Sequence, residues 1–240
     1  GVESLDVRLG QNPDLIMQRT FPESQKVRML LSLPESSEKL MASLKSKLRS
    51  QVRKPQRDGL TARLGGRELV ETFWRIYARN MRDLGSPPHP LRWFKEVLEA
   101  YGQDAAVAVS YMPDGTPAAA GITLRNGSTV SIPWASSLRE FNRSNPNMLL
   151  YWTLLAHAAD SGAQYFDFGR STVGEGTYRF KKQWGAEEHP LFWIHVKDGE
   201  PRNGARPEGR LRKTAESVLE RLPVACNAWL GGLVRKYISL

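Results

Sequence analysis

The chain has 240 residues and a basic composition, with 34 Lys and Arg against 25 Asp and Glu, a net charge of +9 and a pI near 9.8. Its ordinary apolar and aromatic content excludes general disorder, and it contains no run of 18 apolar residues that would indicate a transmembrane helix. The surplus of positive charge favours an anionic partner, such as nucleic acid, a nucleotide or an acidic membrane surface.

Cysteine and histidine usage limits the chemistry. Cys226 is the single cysteine, so an intrachain disulfide is excluded and a reducing compartment is expected. Its apolar helical surroundings favour a packing role over a catalytic thiol. The histidines, His89, His157, His189 and His195, form no paired ligand spacing with each other, with cysteine or with an acid, so no metal site is predicted.

The amino-terminal part predicts two strands, residues 2–9 and 26–33, without obvious local partners. One helix should follow, capped by Ser36 or Ser37 and ended by Pro55. Its buried stripe recurs every four residues, at Leu40, Leu44, Leu48 and Val52. A parallel row of Lys45, Arg49 and Arg53 is either a solvated face or an edge that faces phosphate.

The central part changes from a helical to a strand period. Two helices are predicted first, the second over residues 91–101, and then an antiparallel meander of strands at 105–111, 117–125 and 129–134. Asn126-Gly127 is the strongest hairpin signal, and Pro133 predicts a bulge or an unpaired edge. A loop at 135–144 leads to a helix at 146–161, which is apolar on almost every side and should be buried centrally.

Residues 165–185, YFDFGRSTVGEGTYRFKKQWG, carry the most distinctive pattern. A short aromatic strand holds Asp167, the chain turns at Gly169, and a polar loop leads to a helix that lines up Tyr178, Lys181 and Lys182. Strand, anion-friendly loop and basic helix is a common way for α/β proteins to build a site at the carboxyl end of a strand. A plain connector with solvated charges has the same composition, so residue types alone leave both interpretations open.

A last strand is predicted at 190–196 and a linker rich in Gly, Pro and Asn at 198–209. Two basic, amphipathic helical segments, 210–222 and 224–240, then form a tail. The tail either packs against the domain or docks on an anionic membrane surface.

Several segments together resemble the FemAB family of peptidyl and aminoacyl transferases. They are NPNMLLYWTLLAHAADSGAQYFDFGRST and the following GTYRFKKQWGAE. KLRSQVRKPQRDGL, YARNMRDLGSPPHP and PWASS resemble, more narrowly, the subgroup found with exosortase and exopolysaccharide systems. The resemblance covers about residues 26–197, and the order of elements is similar to that of GNAT-like acyl-CoA N-acyltransferases.

The resemblance implies an α/β (α+β) GNAT-like fold, with a mixed central sheet flanked by helices. Family members resemble two such lobes in tandem. We therefore expect residues 1–33 to be the remnant of a first lobe, 34–197 a complete lobe, 198–209 the linker and 210–240 the tail. Since substrate-binding residues of a missing lobe would be absent, we expect this fragment alone to be inactive or only partly active.

The implied activity is acyl transfer, in which an amine attacks an activated carbonyl without a covalent enzyme intermediate. The donor would be aminoacyl-tRNA or acyl-CoA. The acceptor would be a phosphate-bearing precursor of the cell envelope, of peptidoglycan or of exopolysaccharide, handled in the cytoplasm or at the inner face of the membrane. No tightly bound cofactor and no metal is expected.

The resemblance also implies roles for residues near the reaction centre. The Phe-Lys pair of the family maps onto Phe180 and Lys181, and Lys181 would stabilise charge on the acyl carbonyl or the tRNA end. Asp167 is a candidate general base, although an acid at a strand end also commonly pins an arginine or a helix N-terminus. Tyr178 is an alternative proton donor.

Candidate substrate ligands lie in several segments. Arg53 and Arg170 are the best phosphate ligands, because guanidinium offers a bidentate fork to phosphate oxygens. The further candidates for substrate binding are Lys182, Trp134, Ser136 and Asn145.

One departure from the superfamily pattern bears on the donor. Enzymes that use acetyl-CoA usually carry a glycine-rich turn before the buried helix, whose backbone N–H groups bind pyrophosphate. Here that place reads Arg143-Ser-Asn-Pro-Asn. This disfavours standard coenzyme A binding. A CoA-dependent N-acyltransferase and a non-catalytic lobe that binds phosphate or tRNA stay open as alternatives.

Overall fold

The computed structural model describes residues 4–9, 26–197, 200–203 and 217–235, with side chains for 26–192 and 217–235. The chain divides into two compact units. The smaller contains residues 1–32 and 167–208, and the larger contains residues 33–166 and 209–240. Each unit is assembled from two separate stretches of chain.

The described helices and strands follow one another in a mixed order that includes consecutive helices and consecutive strands. The helices are α1 (Ser37–Ser43), α2 (Ser46–Arg57), α3 (Val70–Asp83), α4 (Leu91–Tyr101), α5 (Pro146–Asp160), α6 (Gly176–Gln183) and α7 (Val224–Val234). The strands are β1 (Ser4–Leu9), β2 (Lys26–Ser32), β3 (Thr61–Gly65), β4 (Ala105–Tyr111), β5 (Pro117–Asn126), β6 (Thr129–Ser137), β7 (Tyr165–Thr172), β8 (Glu187–Pro190), β9 (Phe192–Lys197) and β10 (Glu200–Asn203).

The larger unit is built on strands in the order β3-β4-β5-β6, each antiparallel to its neighbour. The register skips at β6, because Ile122 faces Trp134 whereas Leu124 faces Ser131. Between these two pairs β6 has two residues, Ile132 and Pro133, where β5 has only Thr123, so of the bulge or unpaired edge predicted at Pro133 the bulge is confirmed. Proline lacks the N–H that a regular ladder requires, which explains why the irregularity falls there.

Helices cover both faces of these strands. On one face, Phe73 and Tyr77 of α3 and Phe94 of α4 pack with Val107 and Ile122 in a single apolar cluster. On the other face lies α5, which approaches so closely that a Cβ on Gly121 would stand 3.2 Å from Leu154 Cδ1. Burial on both faces explains why β5 reads as a continuous run of small and apolar residues.

The smaller unit contains two groups of strands, β7-β2-β8 and β1-β9-β10, together with α6. β2 pairs antiparallel with β8, and β9 pairs antiparallel with both β1 and β10. β7 begins in the larger unit beside the start of β6, where the amides of Gln164 and Tyr165 both donate to the Ser128 carbonyl. The mixed α/β architecture predicted from the sequence is confirmed.

The helix predicted to run from Ser36 to Pro55 is two helices. Ser36 caps α1, because its hydroxyl accepts from the Lys39 amide. Leu44 and Lys45 then adopt extended backbone angles, which break the helix between α1 and α2. The four predicted stripe residues are nevertheless all buried. Pro55 does not end α2, since a buried proline in the last turn removes only one intrahelical hydrogen bond.

Other boundaries also differ from the predictions. β3 was not predicted, because this short strand has no alternation of buried and exposed residues. The predicted loop at 135–144 contains the end of β6 and a 3-10 helix, Arg139–Ser144. The predicted last strand is divided between β8 and β9.

The predicted linker and tail are only partly described. Residues 200–203 of the predicted linker form β10, and its other residues, 198–199 and 204–209, lie outside the described part of the chain, as do 210–216 and 236–240 of the tail. Residues 217–221 are helical and α7 follows. The domain boundaries at residues 33, 197 and 209 stay predictions.

Candidate active site

The centre of the candidate site is Lys181 on α6. Its side chain is only 8% exposed, and its ammonium group donates a 2.7 Å hydrogen bond to the carbonyl oxygen of Arg170 at the end of β7. β7 was predicted to end at Phe168, yet it continues through Gly169 to Thr172. Gly169 has a φ of 74°, a conformation that favours glycine. The strand therefore carries a glycine irregularity directly before the carbonyl that Lys181 binds.

Burial changes the acid–base behaviour of Lys181. The pKa of Lys181 is lowered from 10.5 to about 8, mainly because burial removes hydration; the Asp167 carboxylate opposes this shift, and the nearby Arg170 guanidinium adds a smaller lowering effect. Lys181 is therefore a cation at neutral pH that loses its proton more readily than an ordinary lysine. A buried cation is also more effective than an exposed one at stabilising nearby negative charge.

Asp167 is held from two sides. Its Oδ2 accepts from Arg28 Nε at 2.8 Å, and its Oδ1 accepts from the Gly169 amide, also at 2.8 Å. The Asp167 side chain is 15% exposed, and that of Arg28 is 45% exposed. Both carboxylate oxygens thus already accept a hydrogen bond. Asp167 could accept a substrate proton only in addition to these two hydrogen bonds or in place of one of them.

Tyr178 and Lys182 form a separate polar group on the exposed side of α6. The Tyr178 hydroxyl donates to Glu188 Oε1 at 2.6 Å, and Lys182 Nζ donates to the Tyr178 hydroxyl at 3.0 Å. Lys182 also bonds to Glu188. Hydrogen bonding to Glu188 raises the pKa of Lys182, and hydrogen bonding to Lys182 lowers the pKa of Glu188. The Tyr178 proton is therefore directed toward Glu188.

An aromatic pair and two buried polar groups complete this region. Phe180 is half-buried and packs edge-on against Trp184, with ring centroids 6.3 Å apart. The Ser171 hydroxyl and the Trp184 indole N–H are buried and find no hydrogen-bond partner among the described residues. Buried polar atoms normally have partners, so these two donors are candidates for contacts to a bound substrate.

The other predicted ligands belong to the larger unit. Arg53 is exposed and lines an open cleft of about 600 Å³ with Glu38, Met41, Arg49 and Trp152 among its neighbours. Arg49 does not face solvent freely, because its guanidinium donates to the Leu44 carbonyl at 2.6 Å. Two members of the predicted basic row, Arg49 and Arg53, thus line the same cleft, and Arg49 is also bound to the end of α1.

The larger unit holds the remaining predicted ligands in two places: Trp134 and Ser136 lie on β6, and Asn145 lies directly before α5. Trp134 packs edge-on against Trp93 and Phe94, at centroid distances of 4.9 and 5.4 Å. Ser136 is buried, and its hydroxyl accepts from Asn80 Nδ2 at 3.3 Å. Asn145 has a left-handed backbone, φ 55° and ψ 42°, directly before α5 and makes no side-chain cap.

Some members of these groups could not be found from the sequence. Arg28 meets Asp167 across 139 residues of chain, and nothing in its neighbourhood marks it. The only feature of the sequence that points to Glu188 is the adjacent acid, Glu187. Within the described residues, no group of three or more His, Cys, Asp or Glu side chains is arranged to hold a metal ion.

Comparison with known proteins identifies the fold family. The sequence model of the acetyltransferase (GNAT) domain matches residues 42–182, more than half of the chain. A comparison with curated proteins found no match.

Solved structures share the fold at low sequence identity. FemX has a TM-score of 0.61 at 15% identity, over 75% of this chain and 63% of that chain. The C-terminal domain assigned to a lysylphosphatidylglycerol synthetase of Agrobacterium fabrum has a TM-score of 0.51 at 12% identity, over 97% and 66%. A GCN5-related N-acetyltransferase from Sphaerobacter thermophilus has a TM-score of 0.50 at 12% identity, over 84% and 62%.

The chain spans less than two thirds of each of these structures. The predicted resemblance to GNAT-like acyltransferases is confirmed, with FemX among the structural neighbours. The chain belongs to the acetyltransferase (GNAT) domain family.

Proposed function

We propose that this chain carries the FemAB-type activity expected from its motifs. It would transfer an aminoacyl or acyl group to an amine of a phosphate-bearing envelope or exopolysaccharide precursor by direct attack. The observation that carries the proposal is the buried ammonium of Lys181, held at the end of β7 by the Arg170 carbonyl. The resemblance maps the family's Phe-Lys pair onto Phe180 and Lys181, and the fold is similar to that of FemX.

Lys181 would stabilise the negative charge of the reaction. When the amine nitrogen bonds to the carbonyl carbon, the carbonyl oxygen gains charge. The ester or thioester bond then breaks to release an anionic leaving group, and the proton that the amine nitrogen loses neutralises it. An ammonium has three N–H donors, and the Arg170 carbonyl accepts from one of them. A donor already fixed in a water-poor place stabilises such charge without reorganisation.

Asp167 would act mainly on Lys181 in this proposal. Its carboxylate is bound by Arg28 and Gly169, and it raises the pKa of Lys181 against the effect of burial. It thereby favours the charged form of the lysine. In the general-base role expected for Asp167, a carboxylate oxygen would accept the substrate proton alongside or in place of one of those two hydrogen bonds, and the alternative proton route runs through the Tyr178–Glu188 pair.

A CoA-dependent N-acyltransferase is the second candidate, and the family match favours it. The start of α5 is the place where pyrophosphate would bind in this superfamily. There Asn145 is left-handed and Pro146 has no N–H, so the first turn offers fewer backbone donors to an anion. This geometry supports aminoacyl-tRNA over CoA. A non-catalytic lobe would instead show salt-sensitive binding of tRNA or phosphate without turnover.

Mass spectrometry of envelope precursors would separate these functions. The longest natural form of the protein is incubated with precursors and either charged tRNA or acyl-CoA. In its aminoacyl form, which the geometry at α5 favours, the proposal predicts a mass increase that requires charged tRNA. It also predicts that acyl-CoA does not raise the melting temperature, because acyl-CoA does not bind the folded state. Product formed only with acyl-CoA, together with a raised melting temperature, would establish the second candidate instead.

A further inference from the structure

Helix α7 has an inverted distribution of polar and apolar residues. Asn227, Gly231 and Arg235 recur every four residues at its inner face, and all three are buried. The opposite face carries Trp229 and Leu233, which are 67% and 50% exposed. A helix on the surface of a protein in water normally turns its apolar face inward.

The inner face of α7 is fixed by specific contacts within the larger unit. Asn227 Nδ2 donates to the Ser86 carbonyl at 3.1 Å, and Arg235 Nε donates to His89 Nε2 at 3.1 Å. Gly231 lies so close to Pro88 that a Cβ would stand 2.1 Å from the Pro88 carbonyl oxygen. These contacts hold the helix in one rotation, so the outward direction of Trp229 is determined by packing.

The outer face is a continuous apolar surface. Its groove is lined by Leu222, Ala225, Cys226, Trp229 and Leu230. Residues 222–234 contain no charged side chain. No helix among the described residues is long and apolar enough to cross a bilayer.

The charges around this surface select its partner. Residues 210–240 contain six Lys and Arg and two Glu, a net +4. Arg235 is buried against His89, and the other five basic residues lie on both sides of the uncharged segment. Two copies of the chain meeting through this face would bring like charges together, whereas an anionic lipid surface would neutralise them. Tryptophan is also the side chain that favours the boundary between lipid and water.

We propose that α7 is a lipid-docking helix that lays Trp229 and Leu233 into the headgroup region of an anionic bilayer, while its Asn227–Gly231–Arg235 face holds the larger unit to it. This surface is independent of the candidate active site and of the function proposed for it. Binding combines burial of apolar area with attraction between the basic tail and the lipid charge.

Vesicle binding tests the proposal on the full chain. Vesicles of phosphatidylcholine are compared with vesicles containing roughly one third phosphatidylglycerol. The protein is expected to bind the anionic vesicles and not the neutral ones, and higher salt should weaken the binding. A fluorophore on Cys226, the only cysteine and an exposed one, should report an apolar surrounding when the anionic vesicles are added.

Paired double variants identify the surface. Trp229→Ser with Leu233→Ser should weaken vesicle binding by about tenfold or more, because binding then no longer transfers two apolar side chains from water into the lipid. Leu64→Ser with Tyr101→Ser is the matched control, since these side chains are 37% and 41% exposed elsewhere in the larger unit. The control pair should bind as the unmodified chain does, and both pairs should keep its circular dichroism.

Three results would overturn the proposal. The first is no binding to anionic vesicles, and the second is an equal loss in both double variants. The third is self-association in sedimentation that Trp229→Ser with Leu233→Ser abolishes, because the face would then join two copies of the chain.

Discussion

Lys181 is the residue whose ionisation matters most to the proposed chemistry. Burial lowers its pKa to about 8, compared with 10.5 when unfolded. Between these two pH values the unfolded chain binds more protons than the folded chain. Stability attributable to this group is therefore lowest below pH 8 and rises as the pH increases from 8 to about 10.5.

Lys181→Met is therefore expected to stabilise the fold while it removes the proposed activity. Removing the buried charge should raise the free energy of unfolding at pH 7 by up to about 3 kcal/mol, less the loss of the hydrogen bond to the Arg170 carbonyl. Denaturant unfolding at pH 7 and pH 10 measures this, and the gain should shrink at pH 10. If Lys181→Met is less stable than the unmodified chain at pH 7, the claim that Lys181 is a destabilising buried cation is contradicted.

NMR titration of the lysine side chains gives an independent measurement at this scale. One signal, absent in Lys181→Met, should titrate near pH 8, well below the ordinary range of a lysine side chain. If the proposed cation is the active form, the transfer rate should fall as the pH rises through this value. A rate that rises there would mean that the neutral amine is active.

At the scale of elements, α7 offers a pair of adjacent glycines with opposite expectations. A Cβ at Gly231 would collide with the Pro88 carbonyl, whereas a Cβ at Gly232 would meet no atom within 4 Å. Replacing a helical glycine by alanine otherwise favours the helix by about 1 kcal/mol. Gly231→Ala should therefore release α7 from the loop at 86–89, and Gly232→Ala should hold it more firmly.

Hydrogen exchange of residues 224–234 measures this difference. Exchange should be faster in Gly231→Ala and unchanged or slower in Gly232→Ala. Equal exchange rates in the two variants would contradict the close contact between α7 and Pro88.

The elements that the sequence predicted well are those with long periodic patterns. The stripe of Leu40, Leu44, Leu48 and Val52 is buried as predicted, although Leu40 lies on α1, Leu44 at the break, and only Leu48 and Val52 share the inner face of α2. The break at Leu44 was not predictable, since the stripe continues across it without interruption. β3 was not predicted, because it is short and its residues do not alternate between buried and exposed.

At the scale of the whole molecule, the sequence predicts what is local and misses what is distant. The motif at 165–185 identified Asp167, Arg170 and Lys181, which the structure brings together in the smaller unit. Arg28 completes that group from far along the chain. The other candidate ligands, Arg53, Trp134, Ser136 and Asn145, belong to the larger unit, so their part in one reaction stays a prediction.

The central claim is that the buried ammonium of Lys181 serves acyl transfer. The most direct measurement is the rate of amide formation on an envelope precursor by the longest natural form of the protein. Lys181→Ala is compared with Lys95→Ala, a lysine on α4 that pairs with Glu71. We predict that Lys181→Ala lowers the rate by about 100-fold or more with the fold intact, and that Lys95→Ala changes it little. A folded Lys181→Ala variant that transfers as fast as Lys95→Ala would contradict the account.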